Sequence, residues 1–278
     1  MTSTRIVLGG QPLTGVDGYG VRWSTFELGG WGSPPSTLSP VQKTRAPGAW
    51  LSPRQLAPRH LSPVGMVEAP DSDALRDALD RLNAACALDG ALLEVTEGSL
   101  ERTMMVYRVD EVLPKWETDT LATWSCGLVA VDPRKYGPQI VASTGLPSSS
   151  GGLTWPVTWP IEWDGVTNTG VLHIDNPGNT TAPITLRIDG PCQSPQIRHD
   201  GTGAEITFAS SYSLAAGSFL TIDMERRLVL EGGTASRNQW VTSRGWFGLD
   251  PGGNDLIFSA ASYNSSALLT ATTAPAYL

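Results

Sequence analysis

The chain has 278 residues, room for two ordinary domains, and its 40% hydrophobic and 17% charged content is that of a globular protein. Its formal net charge of −8 argues against affinity gained by neutralising phosphates, which needs clustered Lys and Arg. Thirty glycines and twenty-one prolines interrupt the sequence at short intervals, the texture of strands joined by turns, so mostly β structure is expected. The three cysteines, Cys86, Cys126 and Cys192, are far apart and in no metal-ligand spacing, which reads as buried free thiols. No segment approaches the ~18 consecutive apolar residues of a membrane span. Ile6-Val7-Leu8 is too short for a signal peptide, so synthesis in a reducing cytoplasm is expected.

In chain order, Thr4 to Leu8 is the first predicted strand, followed by a Gly9-Gly10 turn and a second strand over Tyr19 to Leu28, where Val21, Trp23, Thr25 and Phe26 favour extended structure. Near 30–63 the composition shifts. Seven prolines from Pro34 through Pro63 and few apolar residues predict a long loop, and Trp31 and Trp50 within it suggest packing on a surface, as an arm to a neighbouring subunit would. His60 to Val67 is a further strand. Pro70-Asp-Ser-Asp then starts a helix near 73–88, with Asp71 or Ser72 as N-cap and Leu75, Leu79, Leu82 and Cys86 on one stripe. Leu92–Val95 and Thr103–Val112 form a predicted hairpin, and Leu121–Val131 is a last long strand before Asp132-Pro133.

These elements make an N-terminal α+β domain over 1–140. A linker over 141–163 follows, with a Ser/Gly run at 148–152 and the repeat Gly151-Gly-Leu-Thr-Trp155-Pro-Val-Thr-Trp159-Pro-Ile-Glu-Trp163. Pro156 and Pro160 exclude a helix there, so Trp155, Trp159 and Trp163 point to one side of an extended ribbon that must pack on something. Over 164–278 strands recur at 170–175, 184–189, 196–198, 205–208, 219–223, 227–230, 245–247, 255–260 and 267–272, which suits an antiparallel β-sandwich.

Catalytic patterns are missing. His60, His173 and His199 stand apart from any nucleophile or metal motif. No G-x-S-x-G elbow, P-loop or dinucleotide fingerprint occurs, and Asp71 with Asp73 is explained by helix capping rather than calcium. The expectation is a protein without catalytic, cofactor or metal site. A rival reading makes the sandwich a carbohydrate-binding module, with Trp240, Trp246 and Tyr263 stacking on sugar faces.

Four features resemble the distal tail protein of long-tailed, siphovirus-type bacteriophages. They are Gly65 with its strand and the helix after it, Asp132-Pro-Arg-Lys-Tyr136, the aromatic-Pro linker, and a second-domain run. That run holds Asn176-Pro-Gly-Asn179, Pro183 to Gly190, Thr221-Ile-Asp223, and Trp246-Phe-Gly-Leu249-Asp-Pro251-Gly-Gly-Asn254-Asp-Leu-Ile257-Phe. The resemblance implies a structural virion protein at the tail tip, part of the baseplate hub. Its N-terminal belt domain would build a ring, usually of six copies, and its C-terminal sandwich would be galectin-like. Partners implied are other copies of itself, the tail tube protein, tail-tip proteins, and a receptor-binding protein or host glycan. DNA would pass through the channel without specific binding, and the acidic balance suits a wall along which DNA slides.

Overall fold

The computed structural model describes residues 4–37, 40–51, 55–150, 166–168, 170–262 and 264–278. Trp155, Trp159, Trp163 and Tyr263, singled out above, lie outside the described residues. The fold is mainly β with one α-helix among the described residues. It divides into two compact units, Met1–Gly137 with Tyr277–Leu278, and Pro138–Ala276.

In the first unit, hydrogen-bonded neighbours run Leu113–Trp116, Leu121–Ser125, Arg59–Glu68, Leu128–Ala130, Leu100–Arg108, Ala91–Glu97, Thr4–Leu8 and Gln11–Pro12, and Arg22–Gly29 pairs with Arg59–Glu68 as well. The predicted strand over 121–131 is one stretch in one register against Arg59–Glu68, interrupted in its middle. The interruption has a simple cause. Pro63 has no N–H to give, and opposite it only the Cys126 N–H reaches back, to the Pro63 carbonyl at 3.3 Å.

The helix spans Ser72–Ala85. Asp71 is its N-cap, its side chain accepting from the Ala74 N–H at 2.8 Å, and Leu75, Ala78, Leu79, Leu82 and Ala85 are its buried residues. That stripe meets the inward residues of the sheet, among them Leu8, Trp23, Val67, Leu93, Val106 and Trp124, in one hydrophobic core. Trp23 and Trp124 meet edge to face with ring centroids 6.3 Å apart. Gly65 lies directly across from Trp124. A Cβ there would stand 2.6 Å from the Trp124 ring and collide with the Ser24 carbonyl, so this indole packs over a position only glycine can fill.

The second unit is an antiparallel sandwich. One sheet runs Ile140–Gly145, Leu268–Thr273, Ile184–Asp189, Phe219–Asp223, Leu228–Glu231 and Ala235–Ser236. The other runs Val171–Asn176, Gly252–Ser259, Gln196–His199, Glu205–Phe208 and Val241–Arg244. Strict alternation puts Leu186, Ile188, Leu220, Ile222, Leu269 and Ala271 of the first sheet in the interior, with Leu172, Ile197, Ile206, Leu256 and Phe258 of the second.

Two buried asparagines tie its turns. Asn176 donates to the Thr180 and Leu249 carbonyls, both at 2.9 Å, and accepts from the Gly178 N–H at 3.0 Å. Asn254 donates to the Asp250 and Gly252 carbonyls and accepts from the Asp250 N–H. The other partner of the Asn254 carbonyl oxygen is His199 Nε2 at 3.1 Å, while His199 Nδ1 accepts from the Thr202 N–H, so the ring is held as the Nε2–H tautomer.

Three boundaries differ from the sequence reading. Ile140–Gly145, read as linker, is a strand paired along its length with Leu268–Thr273. The last two residues, Tyr277 and Leu278, belong to the first unit, where the Arg102 guanidinium lies 3.5 Å above the Tyr277 ring. The strand expected at 245–247 is instead Val241–Arg244. Its ladder ends where the Gly245 N–H turns to the Glu205 carbonyl at 2.8 Å, leaving Trp246 and Phe247 in irregular chain.

Gly65→Ala is predicted to lower the stability of the first unit by about 3 kcal/mol through overpacking against Trp124. Chemical denaturation followed by tryptophan fluorescence measures it, and an unchanged midpoint would contradict the packing account.

Candidate assembly site

The segment after Arg22–Gly29 is a ribbon rather than an irregular loop. Ser36–Thr37 pairs with Gln55–Leu56, Val41–Gln42 pairs with Ala49–Trp50, and the Lys43 N–H bonded to the Gly48 carbonyl at 3.1 Å closes its tip. Between Gly32 and Leu56 none of the described residues is buried. Val41, Trp50, Leu51 and Leu56 are 64%, 67%, 62% and 41% exposed, and Lys43 Nζ sits 4.8 Å above the Trp50 ring. A two-stranded ribbon is marginal on its own in water, so this arm has a free apolar surface and little internal stability.

Its base, by contrast, is fixed. Arg59 enters the sheet in the inward phase of its strand and is fully buried. Its Nε donates to the Pro133 carbonyl at 3.0 Å, and its Nη1 donates to the carbonyls of Gly30 at 3.1 Å, Trp31 at 3.0 Å and Gly32. Gly30 has φ +81°, and a Cβ on it would strike the His60 carbonyl, so the chain can turn into the guanidinium only as glycine. Lys135 Nζ donates to the carbonyls of Trp31 at 3.1 Å and Gly32 at 3.3 Å, and lies 5.0 Å from the Trp31 ring centroid. Burial pulls the Arg59 guanidinium below its ordinary value. Burial, followed by the neighbouring Arg59 charge, does the same to Lys135. Arg59 forms no ion pair with a carboxylate among the described residues, so backbone carbonyl dipoles supply most of its counter-charge, while the Glu97 carboxylate partly offsets the lowering at Lys135.

The motif Asp132-Pro-Arg-Lys-Tyr136 completes this lock. Asp132 accepts from the Arg134 backbone at 3.1 Å, from Arg134 Nε and Nη2 at 2.8 Å, and from the Tyr136 hydroxyl. Burial pushes the Asp132 carboxyl up, but the hydrogen bonds from Arg134 and Tyr136 outweigh it and hold it below its ordinary value. Pro133 offers its carbonyl to Arg59 and Lys135 reaches Trp31, so alternate residues of the motif serve the turn and the base of the arm.

Trp31, read as part of the arm, is thus clamped at its root, and Trp50 is displayed toward its tip. Trp240 is half-buried, its ring 5.8 Å from Tyr212, which stacks on Phe208 at 5.2 Å. Trp246 is half-buried in the irregular stretch after Arg244. No ring contact joins Trp240 to Trp246 among the described residues. His60 is exposed, and the exposed His173 lies 2.7 Å from Asp255 and 3.3 Å from Asp175, the hydrogen bond to Asp255 raising its pKa first. The residue that organises the site, Arg59, is absent from the sequence reading. A signal was available, since it is a charge in the inward phase of an alternating strand.

Residues 178–272 match the family model described as siphovirus-type tail component, C-terminal domain. No curated protein matches the chain. Among solved structures, the Dit protein of phage SPP1, described as a paradigm of hub adsorption apparatus in Gram-positive infecting phages, aligns with a TM-score of 0.70 at 14% identity, over 99% of this chain and 100% of that one. A chain of the phage P2 baseplate in its activated conformation with Ca aligns with a TM-score of 0.53 at 12% identity over 98% of each chain. The strontium form of that baseplate gives 0.51 at 14%, again over 98% of each. At these identities the likeness establishes a shared fold across both units.

Two outcomes are expected. Arg59→Ala should destabilise the first unit by about 3 kcal/mol, because the carbonyls of Gly30, Trp31, Gly32 and Pro133 lose their donor in a buried place; urea denaturation measures it. For Asp132, the lowered pKa means stability that is full above the unfolded carboxylate value, about 3.9, and is lost as pH falls through the folded value below it. The stability gap between wild type and Asp132→Asn should therefore be widest at neutral pH and close in acid, and a gap that widens on acidification would contradict the assignment.

Proposed function

We propose that this chain is a distal tail protein, the hub that joins the tail tube of a long-tailed phage to its tail-tip and host-adsorption proteins. The observation that carries the reading is the agreement of two units, in one order, with the SPP1 hub protein along 99% of the chain, joined to the tail-component family match over 178–272. Copies of the first unit associate into a ring, of six members, through which DNA passes without being held, and the galectin-like second unit is a platform for partners. The place of action is the virion tail tip, after synthesis in the host cytoplasm, and the role is structural rather than catalytic.

Physical features support association. The first unit has an edge strand, Leu113–Trp116, exposed at every residue, and an arm whose apolar residues have no covering in the chain that bears them. Reading the sandwich as a glycan-binding module is the competing class. The packing of Trp240 on Tyr212 favours the assembly reading, because a sugar-stacking indole needs a free face.

Mass photometry of purified protein, alone and with tail tube protein, tests the reading. A closed multimer is expected, and replacing 34–57 by a short Gly-Ser turn should weaken assembly at least tenfold while leaving the fold intact. A chain that stays monomeric in both conditions would overturn it.

A further inference from the structure

The arm and one edge of the first unit are opposites in chemistry. Between Glu27 and Glu68 the sequence has Lys43, Arg45, Arg54 and Arg59 and no acidic residue, which leaves 27 acidic against 15 basic residues for the rest of the chain. Lys43 and Arg45 enter no ion pair among the described residues; Lys43 lies 4.8 Å above the Trp50 ring, and Val41, Trp50 and Leu51 of the same arm are exposed. The segment 109–119 has the reverse character. Asp110, Glu111, Glu117 and Asp119 surround Val109, Leu113 and Trp116, which are 53%, 53% and 46% exposed. Lys115, the single base there, is taken up by Glu117 at 2.8 Å, so Asp110, Glu111 and Asp119 remain as acids without an ion pair among the described residues.

Leu113–Trp116 is also an edge. It pairs on one side with Leu121–Ser125, and its other side has no strand partner among the described residues. The arm leaves from the connection between Arg22–Gly29 and Arg59–Glu68, and along the sheet those strands come first, then Leu121–Ser125, then the acidic edge. The two complementary surfaces are thus different patches on one chain.

We infer that the arm of one copy docks on the acidic edge around Leu113–Trp116 of the next copy, its apolar residues against Leu113 and Trp116 and its Lys43 and Arg45 against Asp110, Glu111 and Asp119. This deepens the hub reading and rests on it. Because each copy gives one patch and receives the other, the contact is heterologous and passes from copy to copy, which yields a ring where the rotation closes. A two-fold dimer, which needs one self-complementary patch, is not favoured by this arrangement. The charges steer encounter and fix the pairing, while the apolar contact excludes water.

Charge reversal with rescue tests it. Lys43→Glu with Arg45→Glu on the arm, and separately Asp110→Lys with Glu111→Lys on the edge, are each expected to reduce the multimer seen by mass photometry at least tenfold, and the four changes together to restore it to within about threefold of wild type. Arg45, Asp110 and Glu111 are exposed and Lys43 is half-buried, and circular dichroism and the melting temperature of each variant check that folding is kept. Multimers that form normally with either reversed set, or variants impaired alone and no better together, overturn the docking while leaving the hub reading in place. Wild-type protein that never multimerises, alone or with tail tube protein, removes both. A photo-crosslinker at Trp50, in a mixture of light and heavy isotope-labelled chains, gives the independent check. Crosslinks between chains to 109–119 agree with the inference, and crosslinks elsewhere contradict it.

Discussion

The buried guanidinium of Arg59 is the constraint from which the first unit is organised. A charge in the interior is costly unless it is hydrogen-bonded, and Arg59 meets this through Nε and Nη1, while its Nη2 is buried without a hydrogen-bond partner among the described residues. Here the solution draws in three parts of the chain that are distant in sequence: the turn at Gly30 to Gly32, the strand Arg59–Glu68, and Pro133 at the end of the unit. Because the partners are backbone carbonyls, the lock depends on chain path rather than on side-chain identity. That accounts for the glycine at position 30, where the turn needs a positive φ and no Cβ. It also accounts for the compact Asp132 to Tyr136 motif, whose internal hydrogen bonds hold the Pro133 carbonyl in place. The consequence is a firm root for an arm that is otherwise weakly structured. A docking element benefits from such a division, since a fixed base limits the entropy lost when the tip binds.

In the second unit the same economy falls to Asn176, Asn254 and His199, which satisfy turn backbone inside an apolar sandwich. The run from Asn176 to Asn179 and the run from Trp246 to Asn254 are tied together in the fold, where the Asn176 side chain donates to the Leu249 carbonyl at 2.9 Å. Polar turn residues that must be buried and fully bonded admit few replacements.

Much of this was legible in the sequence where the signal is local. Strands were read over Thr4–Leu8, Ile184–Asp189, Glu205–Phe208 and Phe219–Asp223 at the bounds the structure has. The helix stripe was also plain, and its cap was narrowed to Asp71 or Ser72, of which the structure uses Asp71. Ile140–Gly145 was not, because its hydrophobic contrast is weak, with Thr144 the buried side chain, and its partner Leu268–Thr273 lies far along the chain. At 245–247 the aromatic residues suggested a strand, but the ladder is closed by the crossing with Glu205, a tertiary event. The arm's prolines correctly excluded a regular sheet and concealed two short ladders of two residue pairs each. Arg59 shows the limit most clearly. Its phase in the strand announces burial, yet its four partners are carbonyls, which every residue possesses and no sequence pattern marks.

In the proposed assembly, rooted, basic, apolar arms link copies of the first unit head to tail around a channel. Electron cryo-microscopy of the assembled protein tests it most directly. A closed ring in which each arm crosses to the neighbouring copy and covers its Leu113–Trp116 edge is the result predicted. Arms folded back on their own unit, or copies joined through surfaces that leave Trp50 and Trp116 in solvent, would contradict it.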